Sequence, residues 1–462
     1  MDSGDDQRSE SEAKEIAGRK SVVKYVPLPE KQFVVRNSVL TDLFDDVPDI
    51  KTIRHIFVAI LICLGLSTVA HDYFIKREVH FGVTLIFTGF GKFHIVLFCW
   101  MILMILNCLS FASFGFWAKT RINLLPKARI IKLWDITWLV TYIVFQICYF
   151  MLAKYFVNTF RFPPPSACTV LLEQIRFSMK LHSFIRTSAG PILWYKPHTE
   201  SDLPLPNFSE YFYFLFAPTI IFRTNYPRTS CIRWKFIFCS TLEILGVIVC
   251  QSFIFHRIFI PAYEDFGRRR FTWDELIVSF LEHALPGLLI YVSDFYLILH
   301  SMQNIFAELL RFGDRLFHRD WWNCRTFTEF FRNWNVIVHD WLYTYIYKDI
   351  YEHVVRSKGV AKFTTFLVSA IVHEWAFTHM FGYFFPLVFI FFMLFVMMIM
   401  FIKIRDETVV NILFWIQLAL GCGFLVSGYT LEFFARQNIP GDTDSLKDLL
   451  FPRWLTCVDC IH

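Results

Sequence analysis

Apolar runs of roughly twenty residues recur along the chain, near 55–73, 94–117, 134–158, 237–262, 283–308, 364–385, 386–402 and 409–431. That is the length an α-helix needs to cross the hydrocarbon of a bilayer. Pro386 divides one continuous apolar stretch into two such runs, because a proline interrupts the helical hydrogen-bond ladder and favours a tight reversal. The polar segments set the orientation. Lys119, Arg121, Lys127, Arg129 and Lys132 follow the second run, a concentration of positive charge that marks the cytosolic side, and this puts the N-terminus there too. Arg186 to Lys235, with Lys196, Arg223, Arg228 and Arg233, also reads as cytosolic. Parity then demands one more crossing, and only 167–187 supplies it. That stretch carries Glu173, Arg176, Lys180 and His182, groups that inside a membrane must face protein or water. The pattern predicts an all-α polytopic membrane protein of about nine transmembrane helices, with a cytosolic N-terminus and a luminal C-terminus. Arg268-Arg269-Arg270 falls on the luminal side in this scheme, against the positive-inside tendency.

Composition agrees with the pattern. Residues are 55% hydrophobic and only 18% charged, with 55 phenylalanines and a mean hydropathy of +0.44. The formal net charge of +5 suits basic cytosolic loops and gives no reason to invoke nucleic acid. Residues 1–50 form a polar tail of mixed charge without a signal-type apolar region, cytosolic and largely disordered up to about Val34. Residues 51–462 form the membrane domain. Of the twelve cysteines, Cys63, Cys99, Cys108, Cys148, Cys250 and Cys422 sit in apolar runs and read as packing residues. No cysteine–histidine spacing points to a metal. Cys457 and Cys460 are the one pair placed for a disulfide, on a luminal C-terminus. The sequon Asn207-Phe208-Ser209 falls in the cytosol and is expected to stay unmodified. No GxSxG, Walker A or dinucleotide fingerprint is present. A covalent acyl-enzyme, ATP-driven transport and nicotinamide chemistry are therefore not indicated, and no bound cofactor is expected.

The residues equipped for chemistry lie in the second half. The cytosolic, membrane-lying segment 309–362 carries Phe317-His318-Arg319-Asp320-Trp321-Trp322-Asn323 and then Trp334-Asn335. Trp321, Trp322, Trp334 and Trp341 are either interfacial anchors or walls of a substrate site. Asn335 and His339, four residues apart, share one face if helical. His373 lies in the apolar run Phe366–Trp375, with Ser369 one turn before it and Glu374 after it. Such a histidine is either a hydrogen-bonded core residue or a general base, since burial favours the neutral imidazole that takes a proton from an alcohol.

These landmarks stand in order with Glu173-Gln174-Ile175-Arg176-Phe177, Tyr213-Phe214-Leu215-Phe216-Ala217-Pro218-Thr219, Leu310–Arg315, Trp334–Leu342 and Val372-His373-Glu374. With them, nearly everything after the N-terminal tail resembles the sterol O-acyltransferases (acyl-CoA:cholesterol acyltransferases) of the membrane-bound O-acyltransferase superfamily. The resemblance implies helices around a lipid tunnel in the endoplasmic reticulum membrane. It also implies transfer of a long-chain acyl group from acyl-CoA to a sterol hydroxyl, in a homodimer or a dimer of dimers. By the same carry-over His373 is the catalytic base and Asn335 the second catalytic position. Tyr347, Lys358 and Ser369 line the acyl-CoA path, and Trp334 and His339 lie near the reaction centre. Diacylglycerol acyltransferases share the aromatic signature and the Asn/His pair, but Asp340 after His339 and Asp349 after Lys348 match the sterol branch. A non-catalytic lipid transporter or sterol-sensing scaffold is the reading from another class, and it requires a purely structural His373. The chain departs from the family at His318, where tyrosine is usual. It departs again at Ile439, which stands where vertebrate members carry the cysteine of a luminal disulfide to the position of Cys457.

Overall fold

The computed structural model describes residues 29–77, 83–124, 128–195, 203–401, 406–441, 448 and 450–456. The chain divides into two units, Met1–Gln32 and Phe33–His462. Only residues 29–32 of the first are described, and the helices all belong to the second. The Cys457–Cys460 pair lies outside the described residues.

The described fold is helical. It begins with α1 (Val39–Asp46), α2 (Pro48–His71), α3 (Phe93–Asn123), α4 (Ala128–Phe160), α5 (Pro164–Trp194), α6 (Phe208–Phe216) and α7 (Trp234–Ile254). It continues with α8 (Trp273–Glu282), α9 (Ala284–Asp294), α10 (Gln303–Leu309), α11 (Phe327–Trp334) and α12 (Val336–Leu342). The last long helices are α13 (Lys358–Phe381), α14 (Leu387–Phe401) and α15 (Glu407–Asn438). Six helical stretches among the described residues are long and apolar enough to cross a bilayer: Pro48–Ile75, Val83–Asn123, Arg129–Phe160, Trp234–Tyr263, Ala284–Leu309 and Glu407–Asn438.

The sequence pattern leads to about nine spans, and the difference lies in α5, α13 and α14. The first two are helices over the expected stretches, but charged and hydroxylated residues interrupt their apolar character. Helix α14 has 15 residues. The reversal expected at Pro386 is present and starts earlier, because Gly382 ends α13 in the left-handed region at φ +81°.

Bilayer helices invert the soluble pattern, and α4 shows it. Ile136, Leu139, Val140, Ile143, Val144 and Ile147 recur at helical spacing and are exposed, an apolar stripe for lipid. Tyr149, Ala153 and Phe156 face the protein instead.

Helix α5 is the centre of the domain, packed against α3, α4, α6 and α13. Its charges are satisfied internally. Lys180, 1% exposed, donates to the carbonyl oxygens of Phe214, Leu215 and Ala217 at 2.6, 3.0 and 2.7 Å. Arg176 adds a bond to the Leu215 carbonyl at 2.5 Å while its fork grips Glu173, which also accepts from Trp100 Nε1 at 2.6 Å. Together these residues cap the carbonyls at the C-terminal end of α6. The charges that disqualify α5 by hydropathy are therefore its means of holding the next element.

Elsewhere small residues set the packing. A Cβ on Gly287 of α9 would stand 2.6 Å from the Gly423 backbone of α15, so only glycine permits this approach. Glu308, fully buried, pairs with Arg233 at 2.9 Å and with Arg315 at 2.6 Å, and Arg36 pairs with Asp314 at 2.8 Å. These bonds fix the segment that leads into Phe317–Asn323. In the tri-arginine loop, Arg269 lies over the Phe271 ring at 3.8 Å and 3.5 Å from Glu275. Ile439, the residue at which the chain departs from the family's cysteine, packs its side chain on Gly267 at the head of that loop.

Candidate active site

The Phe317–Asn323 signature acts first as a backbone splint. Val336 N donates to the Phe317 carbonyl at 2.9 Å, and Arg319 N to that of Asn333 at 2.8 Å. The signature thereby holds the junction between α11 and α12, where Trp334 and Asn335 sit. Phe317, His318 and Trp321 point inward, whereas Arg319, Asp320 and Asn323 are exposed and Trp322 is half-buried. Trp321 is therefore an interior residue, not an interfacial anchor. Its ring meets Trp334 edge-on at 4.7 Å, with Phe295, Phe330 and Trp415 around it. Trp334 in turn stacks on Tyr291 at 4.4 Å and 13°. Tyr291 and Phe295 lie in a run that reads as plain membrane helix in the sequence.

His318 fills the core of the signature. Its ring stands 4.8 Å from Phe295, and Nδ1 lies 3.2 Å from the Arg319 carbonyl. Among the described residues Nε2 has no hydrogen-bond partner, and burial pushes the imidazole down to about 4. The unfolded chain, with a histidine near 6.5, binds a proton between those values that the folded chain refuses. Stability contributed by His318 is thus present above about 6.5 and declines as pH falls toward about 4, by roughly 3 kcal/mol. His318→Phe is expected to flatten this acid limb, seen as a smaller Tm difference between pH 7 and pH 5 than in the natural sequence. An unchanged difference would show that His318 does not titrate in this way.

Asn335 is the N-cap of α12, with Oδ1 accepting from Val338 N at 3.1 Å. Its Nδ2 makes no hydrogen bond among the described residues, leaving two donor hydrogens for a ligand. His339 joins Asn335 through the helical bond of its own N–H at 2.9 Å, while its ring lies 3.4 Å from Asp340 and stacks on Tyr343. The two side chains do not pair.

Beyond α12 the chain winds into wide π turns at Tyr343–Tyr347 and Ile350–Val354 and lies against α5. Trp341 Nε1 donates to the Met179 carbonyl at 3.0 Å, Tyr345 Oη lies 2.7 Å from Ser183 Oγ, and Arg186 pairs with Asp349 at 3.0 Å. Trp341 is a tie to α5. Tyr347 stands in a ladder with Tyr343 and Tyr351, their rings nearly parallel at 5.5 and 6.2 Å. Lys358 opens α13 and is exposed.

His373 sits about two turns before the end of α13, with Nδ1 2.8 Å from the Ser369 carbonyl. A carbonyl only accepts, so Nδ1 carries the proton and the lone pair is on Nε2. Ser369 contributes this carbonyl, the part of the residue common to all amino acids, and no contact of its hydroxyl defines the site. His373 lies deep within the protein yet remains accessible, as a side chain does when it lines an internal hollow. Phe392 covers one face of its ring at 4.8 Å. The same Phe392 touches Phe331 of α11 at 5.9 Å, and this connects His373 to the helix that ends at Trp334. Glu374 fixes α14 by accepting from Phe389 N at 3.1 Å, and so holds Phe392 in place. No sequence signal marked Phe331 or Phe392 among so many phenylalanines. The arrangement sets the His373 imidazole on one wall, the Asn335 amide on another, and aromatic surface between them.

Residues 92–431 match the model of the MBOAT family, membrane-bound O-acyltransferase. The chain is 37% identical over 437 residues to Sterol O-acyltransferase 1 of Mus musculus, covering 93% of this chain and 80% of that protein. It is 34% identical over 435 residues to Sterol O-acyltransferase 2 of Homo sapiens, again 93% of this chain and 80% of the other.

Proposed function

We infer the reaction from descent: this chain belongs to the membrane-bound O-acyltransferase family, in its sterol O-acyltransferase branch, and is an acyltransferase that esterifies a sterol. The substrates are a long-chain acyl-CoA and a sterol hydroxyl, and the products are steryl ester and CoA. The observation that carries the mechanism is the bond from His373 Nδ1 to the Ser369 carbonyl, which in the neutral imidazole puts the lone pair on Nε2.

Nε2 accepts the proton of the sterol hydroxyl as that oxygen attacks the thioester carbon. Charge develops on the thioester oxygen, and the free Nδ2 hydrogens of Asn335 suit the stabilisation of that oxyanion. Collapse of the tetrahedral intermediate breaks the C–S bond, and the imidazolium returns its proton to the CoA thiolate. A neutral base is needed here because an imidazolium has no lone pair with which to deprotonate an alcohol. The basic segments around Lys119–Lys132 and Arg223–Lys235 favour approach of the anionic acyl-CoA from their side of the membrane. With acyl-CoA entering there and sterol arriving laterally from lipid, the two meet at His373. Tyr347 and Lys358 stand on the cytosolic approach.

The same reading gives a multi-pass protein of the endoplasmic reticulum with about nine crossings, a cytosolic N-terminus and a luminal C-terminus, assembled as a homodimer. The test is purified protein in lipid with labelled oleoyl-CoA and with cholesterol and diacylglycerol as competing acceptors. Steryl ester is the expected product. Triacylglycerol in its place would move the acceptor to the diacylglycerol branch, and absence of both esters would overturn the reading.

A further inference from the structure

Asp294 is a carboxyl group about 15 Å inside the span Ala284–Leu309, counted from its Ala284 end. Oδ1 accepts from Gln251 Nε2 at 2.7 Å, and the same amide lies 3.0 Å from Ser293 Oγ. Among the described residues no cation pairs with Asp294, and its other oxygen has no hydrogen-bond partner. Three other deep carboxylates contrast with it. Glu173 is held by Arg176 and Trp100, Glu308 by Arg233 and Arg315, and Glu432 by Arg436 and the backbone of Arg453 and Trp454. Each of those is spent on the fold. Asp294, with one neutral amide, is not. An ionisable group left so in a bilayer is costly and marks a site.

The surroundings say what kind. Cys168 of α5, Cys422 of α15 and Tyr291 lie within electrostatic range of Asp294. Tyr291 and Cys168 lie deep in the protein yet keep accessible surface, as do Asp294 and Gln251. Side chains from α5, α7 and α9 thus keep accessible surface around Asp294, and Tyr291 stacks on Trp334 beside Asn335. The Asp294 region therefore adjoins Trp334 and Asn335 through Tyr291.

A carboxyl oxygen with an open lone pair selects a hydrogen-bond donor on an otherwise apolar molecule. The acyl chain of acyl-CoA has no donor. The sterol hydroxyl that reacts is engaged by His373 Nε2 on another wall. We propose that Asp294, held by Gln251, is a specificity-determining residue that binds a second hydroxyl of the lipid acceptor, remote from the one that is acylated. The preferred acceptor is then a sterol diol. The inference rests on the sterol reading of the reaction.

The experiment offers labelled oleoyl-CoA to the full chain with cholesterol competing against a cholesterol hydroxylated at the end of its side chain. The natural sequence is expected to favour the diol in kcat/KM. Asp294→Val is expected to lower the diol-to-cholesterol ratio about tenfold or more, the effect of losing one hydrogen bond to a charged acceptor. Gln251→Val is expected to lower it less. An unchanged ratio in Asp294→Val would overturn the proposal. Equilibrium binding of the labelled diol is measured in parallel on His373→Ala protein, with and without Asp294→Val, and covers the case of a variant that does not turn over. Weaker diol binding with Asp294→Val supports the site, and equal binding overturns it. Absence of any steryl ester from the natural sequence would instead count against the sterol reading.

Discussion

His373→Ala lowers steryl ester formation by about 10²–10⁴-fold, the range that a positioned general base supplies. The protein stays folded, because the lost ring makes one hydrogen bond, to a backbone carbonyl, and one aromatic contact, to Phe392. His373→Gln gives the same loss: an amide is not basic enough to accept the hydroxyl proton. Binding of oleoyl-CoA, measured at equilibrium on the same preparations, is retained. Turnover within tenfold of the natural sequence by well-folded His373→Ala protein would refute the base mechanism and return His373 to a packing role. It would also revive the non-catalytic scaffold reading.

Asn335 is expected to separate into two roles by substitution. Asn335→Asp keeps an oxygen to cap α12, and a carboxylate at a helix N-terminus is at least as good an acceptor as the amide. It removes the Nδ2 donor and places negative charge where the oxyanion forms. Turnover is expected to fall about 10²–10³-fold with little change in Tm. Asn335→Ala removes cap and donor together, so turnover falls similarly and about 1 kcal/mol of stability goes with it. If Asn335→Asp retained near-normal turnover, the amide would be a cap only. The paired variants thus read the catalytic and the capping contributions on different instruments, one by rate and one by thermal unfolding.

The apolar runs were legible because hydropathy over a whole turn-by-turn window is a strong signal, and six of the stretches are long and apolar enough without further argument. Helix α5 was found by parity alone. Its charges hide it from hydropathy, and their purpose, capping carbonyls some thirty-five residues later, is a tertiary fact. His373 stood out as a histidine in an apolar run, but its tautomer needed the Ser369 carbonyl. Asn335 was singled out with His339 as a polar pair on one helical face, but its catalytic role came only through resemblance, since nothing in its neighbourhood distinguishes a cap from a donor. The π turns at Phe295–Met302 and Tyr343–Tyr347 were not legible, because widening a helix by one residue leaves no mark in composition. Asp294 was read simply as part of a membrane run. Its significance comes from what fails to pair with it, and a sequence does not show missing partners.

The bonds from Lys180 and Arg176 to the end of α6 also bear on the order in which the protein is built. Those carbonyls belong to residues 214–217, made after α5 itself has been synthesised. Until they emerge from the ribosome, α5 offers the translocon an ammonium with no acceptor, which hydrocarbon does not accommodate. The helix at the centre of the finished domain therefore completes its own contacts only after the next element has been made.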